Sequence, residues 1–153
     1  MVLAVHIIVG AAIAAKTNSL VWGLILAFLS HYLLDSMPHS SYSVENLKQR
    51  KWGKTAPDFF KIFLDILFGF LFVLLFVKSP SLALLGGLVA IVPDGVNFLT
   101  IVFPKSSLIY STTHIFNNFH LKINNFSENI GSPFLRIAIQ AVIVLIVLAV
   151  FCS

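Results

Sequence analysis

Five stretches of this chain, residues 2–15, 20–37, 59–77, 81–103 and 133–152, are almost wholly apolar. Together they hold only five fully charged side chains, Asp35, Lys61, Asp65, Asp94 and Arg136. A helix needs roughly 20 such residues to cross a bilayer, and inside a bilayer only helices and closed barrels satisfy their own backbone. Hydrophobic residues make up 58% of the 153 and charged ones 10%, where an ordinary soluble domain carries about a quarter charged. A separate soluble domain of any size is thereby excluded. The expectation is an all-α integral membrane helical bundle of about five transmembrane segments, a single domain over residues 1–153. The lone Cys152 excludes a disulfide framework and a Cys-based metal site.

The first segment is short and ends in an Ala-Ile-Ala-Ala run like a leader cleavage site. It lacks a basic start and holds His6, so it is read as part of the fold. Gly10, Ala11, Ala14 and Ala15 have the small-residue spacing that lets two backbones approach, which predicts a tight hairpin of segments one and two. Segment four is interrupted by Pro93-Asp94-Gly95.

Basic residues set the orientation. Lys48, Arg50, Lys51, Lys54 and Lys61 lie in or beside the loop after segment two, and Lys105, Lys122 and Arg136 in or beside the loop after segment four. The opposite side has Lys16 and Lys78. This bias places the N-terminus and both long loops, 38–58 and 104–132, in the cytoplasm. Lys48, Arg50, Lys51 and Lys54 then face anionic lipid head groups, and nucleic acid is not expected as a partner. In the second loop Leu108, Ile109, Ile115, Phe116 and Phe119 predict a short interfacial helix over residues 106–119. The pattern leaves a homo-oligomer open.

Ionisable groups at membrane depth are expensive and mark functional sites by default. His31, Asp35 and His39 recur every fourth residue, so on a helix they lie within about 80° of one another. Imidazoles and a carboxylate on one face suit a divalent metal; a His–Asp pair that merely closes the helix end is the alternative. His6 belongs to the same end of the bundle. Asp58 and Asp65 share a face of segment three, Asp65 about 10 Å deeper. Asp58, just after Pro57, reads as a favourable charge at a helix N-terminus. Asp94 sits at a helix break, which lines a cavity or is locally capped. His114 and His120, six apart, point about 120° away from each other on a continuous helix, so at most one of them is a ligand or a base.

The stretch from Ser30 to His39, with His31, Asp35, Pro38 and His39, resembles the His-x-x-x-Asp…Pro…His signature of zinc-dependent phospholipases C, although their second His usually follows later. The layout as a whole is similar to small bacterial inner-membrane metal-dependent hydrolases, with His6 to Gly10 as His-x-x-x-Gly, Pro93-Asp94 in a later helix and Thr113-His114 near a loop. That resemblance implies a metal-dependent hydrolase of the cytoplasmic membrane. His6, His31, Asp35, His39 and Asp94 would be metal ligands, zinc before manganese. Asp65 or His114 would be general base or acid, or would orient a ligand imidazole. Membrane lipids, as phosphate esters, would be the substrate class. Two other readings remain: a carrier of metal ions or protons, which should show polar groups at every depth, and a small scaffold whose polar cluster only holds helices together.

Overall fold

The computed structural model describes residues 1–77, 80–128 and 130–152; Lys78 lies outside them. Among the described residues the chain forms eight α-helices and no strand: α1 (Leu3–Lys16), α2 (Leu20–Asp35), α3 (Glu45–Lys48), α4 (Ala56–Phe76), α5 (Pro80–Ala90), α6 (Val92–Val102), α7 (Leu108–Glu128) and α8 (Pro133–Cys152). Pro57 lies in the first turn of α4 and Pro133 begins α8, where a proline costs no helical hydrogen bond.

Two helices are long and apolar enough to cross a membrane, Ala56–Phe76 and Pro133–Phe151. The pair α5–α6, bent by 44°, makes a third if it is one span. Helices α1 and α2 have 14 and 16 residues, or about 21 and 24 Å at 1.5 Å per residue, short of a hydrocarbon core of about 30 Å. Large apolar side chains such as Phe68, Leu75 and Leu145 point outward from the bundle.

Helix α1 is the axis around which the rest is built. Nine of its residues are buried, and it packs against α2, α4, α5 and α8. Its small residues do not serve the α1–α2 hairpin alone, as the spacing predicted. A Cβ on Gly10 would lie 2.8 Å from the Gly86 carbonyl oxygen, and one on Gly86 only 2.5 Å from that of Gly10. The tightest backbone approach is therefore between α1 and α5, and Gly23 of α2 meets α1 at Ala14.

The loop after α2 is structured. Asp58 accepts the Leu47 backbone N–H at 2.9 Å, so this carboxylate secures α3 as well as sitting in the first turn of α4. Arg50, in the left-handed region at φ 53°, donates from Nη2 to the carbonyls of Phe103 (2.7 Å) and Thr100 (3.3 Å). It satisfies carbonyls that the end of α6 leaves open. Of the basic residues expected to meet lipid head groups, Lys48, Lys51 and Lys54 are exposed and Arg50 is turned to the fold.

Helix α7 is longer than the interfacial helix predicted over 106–119. Asn117, His120 and Ser127 are buried along one face, against α2 and α6, while Leu108, Ile115, Phe116 and Phe119 are exposed. Ser127 and His120 of this face meet Asp35 inside the bundle, and the helix runs on to Glu128.

Candidate metal centre

At one end of the bundle α1, α2, α6 and α7 bring together His6, His31, Asp35, Asp94 and His120. Two overlapping groups have every ligand atom within 4.8 Å of the others: His6, His31 and Asp94, and His31, Asp35 and His120. Asp35 is the hub. Its Oδ1 lies 3.3 Å from His6 Nε2, and its Oδ2 lies 3.2 Å from His31 Nε2 and 3.1 Å from His120 Nε2. His120 Nε2 is also 3.6 Å from Asp94 Oδ1. His6, His31 and Asp35 are at most 1% exposed.

These contacts are close but mostly undirected. Asp35 Oδ2, His31 Nε2 and both ring nitrogens of His6 are buried with no aligned hydrogen-bond partner among the described residues. Orphaned buried polar atoms are rare in folded proteins. Ligands around a metal produce this pattern, because their lone pairs aim at a common centre rather than at one another. Bonds of 2.0–2.1 Å in a tetrahedron put ligand atoms about 3.3 Å apart, the spacing found here. The donor set fits a borderline divalent cation.

Each side chain has a local reason for its position. His31 and Asp35 share a face of α2, one turn apart. His31 Nδ1 donates to the carbonyl of Ala90 at 2.8 Å, which presents Nε2 to the cluster. Ala90 ends α5, and its carbonyl is among the last four that a helix leaves without an internal partner. Pro93 in the first turn of α6 has no N–H for the Val89 carbonyl, which breaks the ladder at this point. The helix break predicted at Pro93 thus places two groups, the Ala90 carbonyl and Asp94. His120 is brought in by α7, which Ser127 fastens by donating to the Asp35 carbonyl. Burial alone lowers the pKa of His120, but the carboxylates of Asp35 and Asp94 outweigh it and raise the pKa.

Three sequence-predicted residues stand apart from these groups. His39 is buried, with Nδ1 2.9 Å from the Met37 carbonyl and 3.3 Å from Ser127 Oγ. The helix ends at Asp35, so the four-residue spacing no longer keeps His39 on the shared face. Asp65 accepts the backbone N–H groups of Leu3 (2.7 Å) and Ala4 (3.1 Å) and a hydrogen bond from Tyr42. It holds the N-terminus of α1, which lacks a side-chain cap of its own, and through it His6. His114 binds the Ser111 carbonyl in its own helix at 2.7 Å and stacks on Tyr110. His120, omitted from the ligands assigned from sequence, belongs to the cluster. The 120° argument signalled that one of the two would be excluded, without saying which.

Beside the cluster lies a cavity of about 380 Å³ to which Asp94, Tyr42, Lys48 and Asn124 contribute, its walls largely Phe59, Ile62, Ile66, Phe98 and Ile101. A volume in this range is typical of small-ligand pockets.

Fold and site together define an all-α bundle with membrane-type helices and a buried His/Asp cluster at one end. No family model, curated protein or solved structure matches this chain.

Proposed function

We propose that this protein is a membrane-embedded metal-dependent hydrolase acting on a phosphate ester of a lipid. The observation that carries this reading is the convergence of buried His6, His31, Asp35 and His120 with partly exposed Asp94 at ligand-to-ligand distances, with Asp35 Oδ2, His31 Nε2 and both His6 ring nitrogens lacking an aligned partner among the described residues. One or two divalent ions, zinc before manganese, would be held by these residues, with Asp35 offering an oxygen to each side. The bound metal would supply a water of lowered pKa and neutralise charge on phosphoryl oxygens. Asp35 and Asp94 balance cationic charge, and the Ala90 carbonyl fixes the His31 tautomer. In this reading the chain is a five-segment bundle of a bacterial-type inner membrane with its N-terminus cytoplasmic, and the exposed Lys48, Lys51 and Lys54 attract anionic head groups.

The test is elemental mass spectrometry of protein purified without added metal, followed by a screen for phosphate release from phospholipids. The expected result is about one or two zinc or manganese ions per chain, lost in a folded His31→Ala/Asp35→Ala double variant together with hydrolysis. No stoichiometric metal in the wild type, after supplementation as well, would overturn the reading and leave the cluster as a device that joins four helices.

A further inference from the structure

The cavity beside the cluster is not explained by the metal ligands alone. Its long walls are apolar and come from two elements: Phe59, Ile62 and Ile66 of α4 and Phe98 and Ile101 of α6. The rings of Phe59 and Phe98 meet edge to face, with centroids 6.0 Å apart. From Phe59 to Ile66 the α4 wall runs about 10 Å along the helix. The polar residues are of a different kind. Asp94 belongs to both the cavity and the ligand cluster. Asn124 Oδ1 is buried with no hydrogen-bond partner among the described residues, and Lys48 is exposed and cationic. A slot with long apolar walls that carries these groups beside Ser41, Tyr42 and Asn97, and shares Asp94 with the candidate metal centre, matches an amphiphile.

We infer that this cavity is the substrate slot, that it takes one hydrocarbon chain of a lipid phosphate between α4 and α6, and that the phosphate lies by Asp94 and Lys48. The assignment rests on the metal-dependent reading for its chemistry, but the slot itself stands on the cavity. A free phosphate has nothing to place against Ile62, Ile66 and Ile101; a lipid does. The Lys48 ammonium complements the phosphate charge, and the metal ions would face the same group from Asp94.

The experiment uses the full chain in phosphatidylcholine vesicles and a dodecyl phosphate carrying a terminal diazirine as probe. Photolabelling sites are mapped by mass spectrometry. Binding of the unlabelled alkyl phosphate is measured on the wild type and on Ile62→Trp, with inorganic phosphate as the control ligand. The expected result is label on Ile66 or Ile101 and its neighbours, competed by excess alkyl phosphate. Ile62→Trp should bind the alkyl phosphate about tenfold more weakly, as excluding some two methylenes from apolar surroundings would do, with metal content and phosphate binding unchanged. Label confined to outward-facing residues such as Leu75 and Leu145 would overturn the slot whatever the variant does. So would equal alkyl phosphate binding by wild type and variant. Either result leaves the metal content, and with it the hydrolase reading, standing. Absence of metal with slot labelling intact would instead remove the hydrolase reading and keep the slot.

Discussion

The backbone carbonyl of Ala90 accepts a hydrogen bond from His31 Nδ1 at 2.8 Å across 59 residues of sequence, and this contact leaves Nε2 as the ring nitrogen that meets Asp35. It depends on the break between α5 and α6. With alanine in place of Pro93, an N–H becomes available to the Val89 carbonyl four residues back, the helix can run on, and the Asp94 N–H then comes to the Ala90 carbonyl. Pro93→Ala is therefore expected to turn the Ala90 carbonyl from His31 and weaken metal binding about 10- to 100-fold, with helix content retained. Metal titration of the purified variant measures this; unchanged affinity would show that the carbonyl does not orient the ring.

The two loop histidines separate cleanly. His120→Ala removes a group that touches Asp35 Oδ2, whereas His114→Ala removes one bound to its own helix. Metal content should fall in the first variant and stay at the wild-type level in the second. Asp35→Asn, at the hub, should abolish binding with near-native circular dichroism. The reverse ranking of His114 and His120 would move the site.

Close packing of α1 on α5 gives a stability prediction. A methyl group at Gly86 has the Gly10 carbonyl 2.5 Å away, and one at Gly53 has nothing within 4 Å. Overpacking costs typically 1–3 kcal/mol, so Gly86→Ala should lower the thermal midpoint in detergent by several degrees. Gly53→Ala should leave it unmoved.

Tyr42 supplies a pH dependence. Burial, and then the nearby Asp65 and Asp94 carboxylates, push its phenol pKa above the ordinary value. A group whose pKa is raised on folding adds stability that is fully present below its unfolded pKa, about 10, and is lost as pH rises through the folded value. The fold should weaken in the alkaline range above that point. In Tyr42→Phe this component should vanish, at a cost of about 1 kcal/mol for the lost hydrogen bond to Asp65. Phenolate absorbance titration, wild type minus variant, should show a group that ionises late; ionisation of that group at the ordinary value would refute the burial argument.

Helices apolar enough to cross a membrane, the helical class and the shared face of His31 and Asp35 were legible in the residue string, because composition and the 3.6-residue period are local properties. The break at Pro93 was legible for the same reason. Which helix receives the small residues of α1 was not, since Gly10 and Ala14 serve equally well against α2 or α5 until the bundle closes. The role of Asp65 was hidden too: its partners, the N–H groups of Leu3 and Ala4, lie some 60 residues away. His39 leaves the shared face by a local event, the end of α2 at Asp35 just ahead of Pro38.

By itself, then, the sequence determined that this chain forms apolar helices and that its few ionisable groups gather towards one end of them. Tertiary structure alone decided which groups meet: His120 rather than His114, Asp35 as the hub, Asp65 at the start of α1. Spacing along a helix sets which residues share a face. Which faces touch depends on how several helices satisfy close packing and buried polar groups at once, and that condition is met only in the assembled bundle.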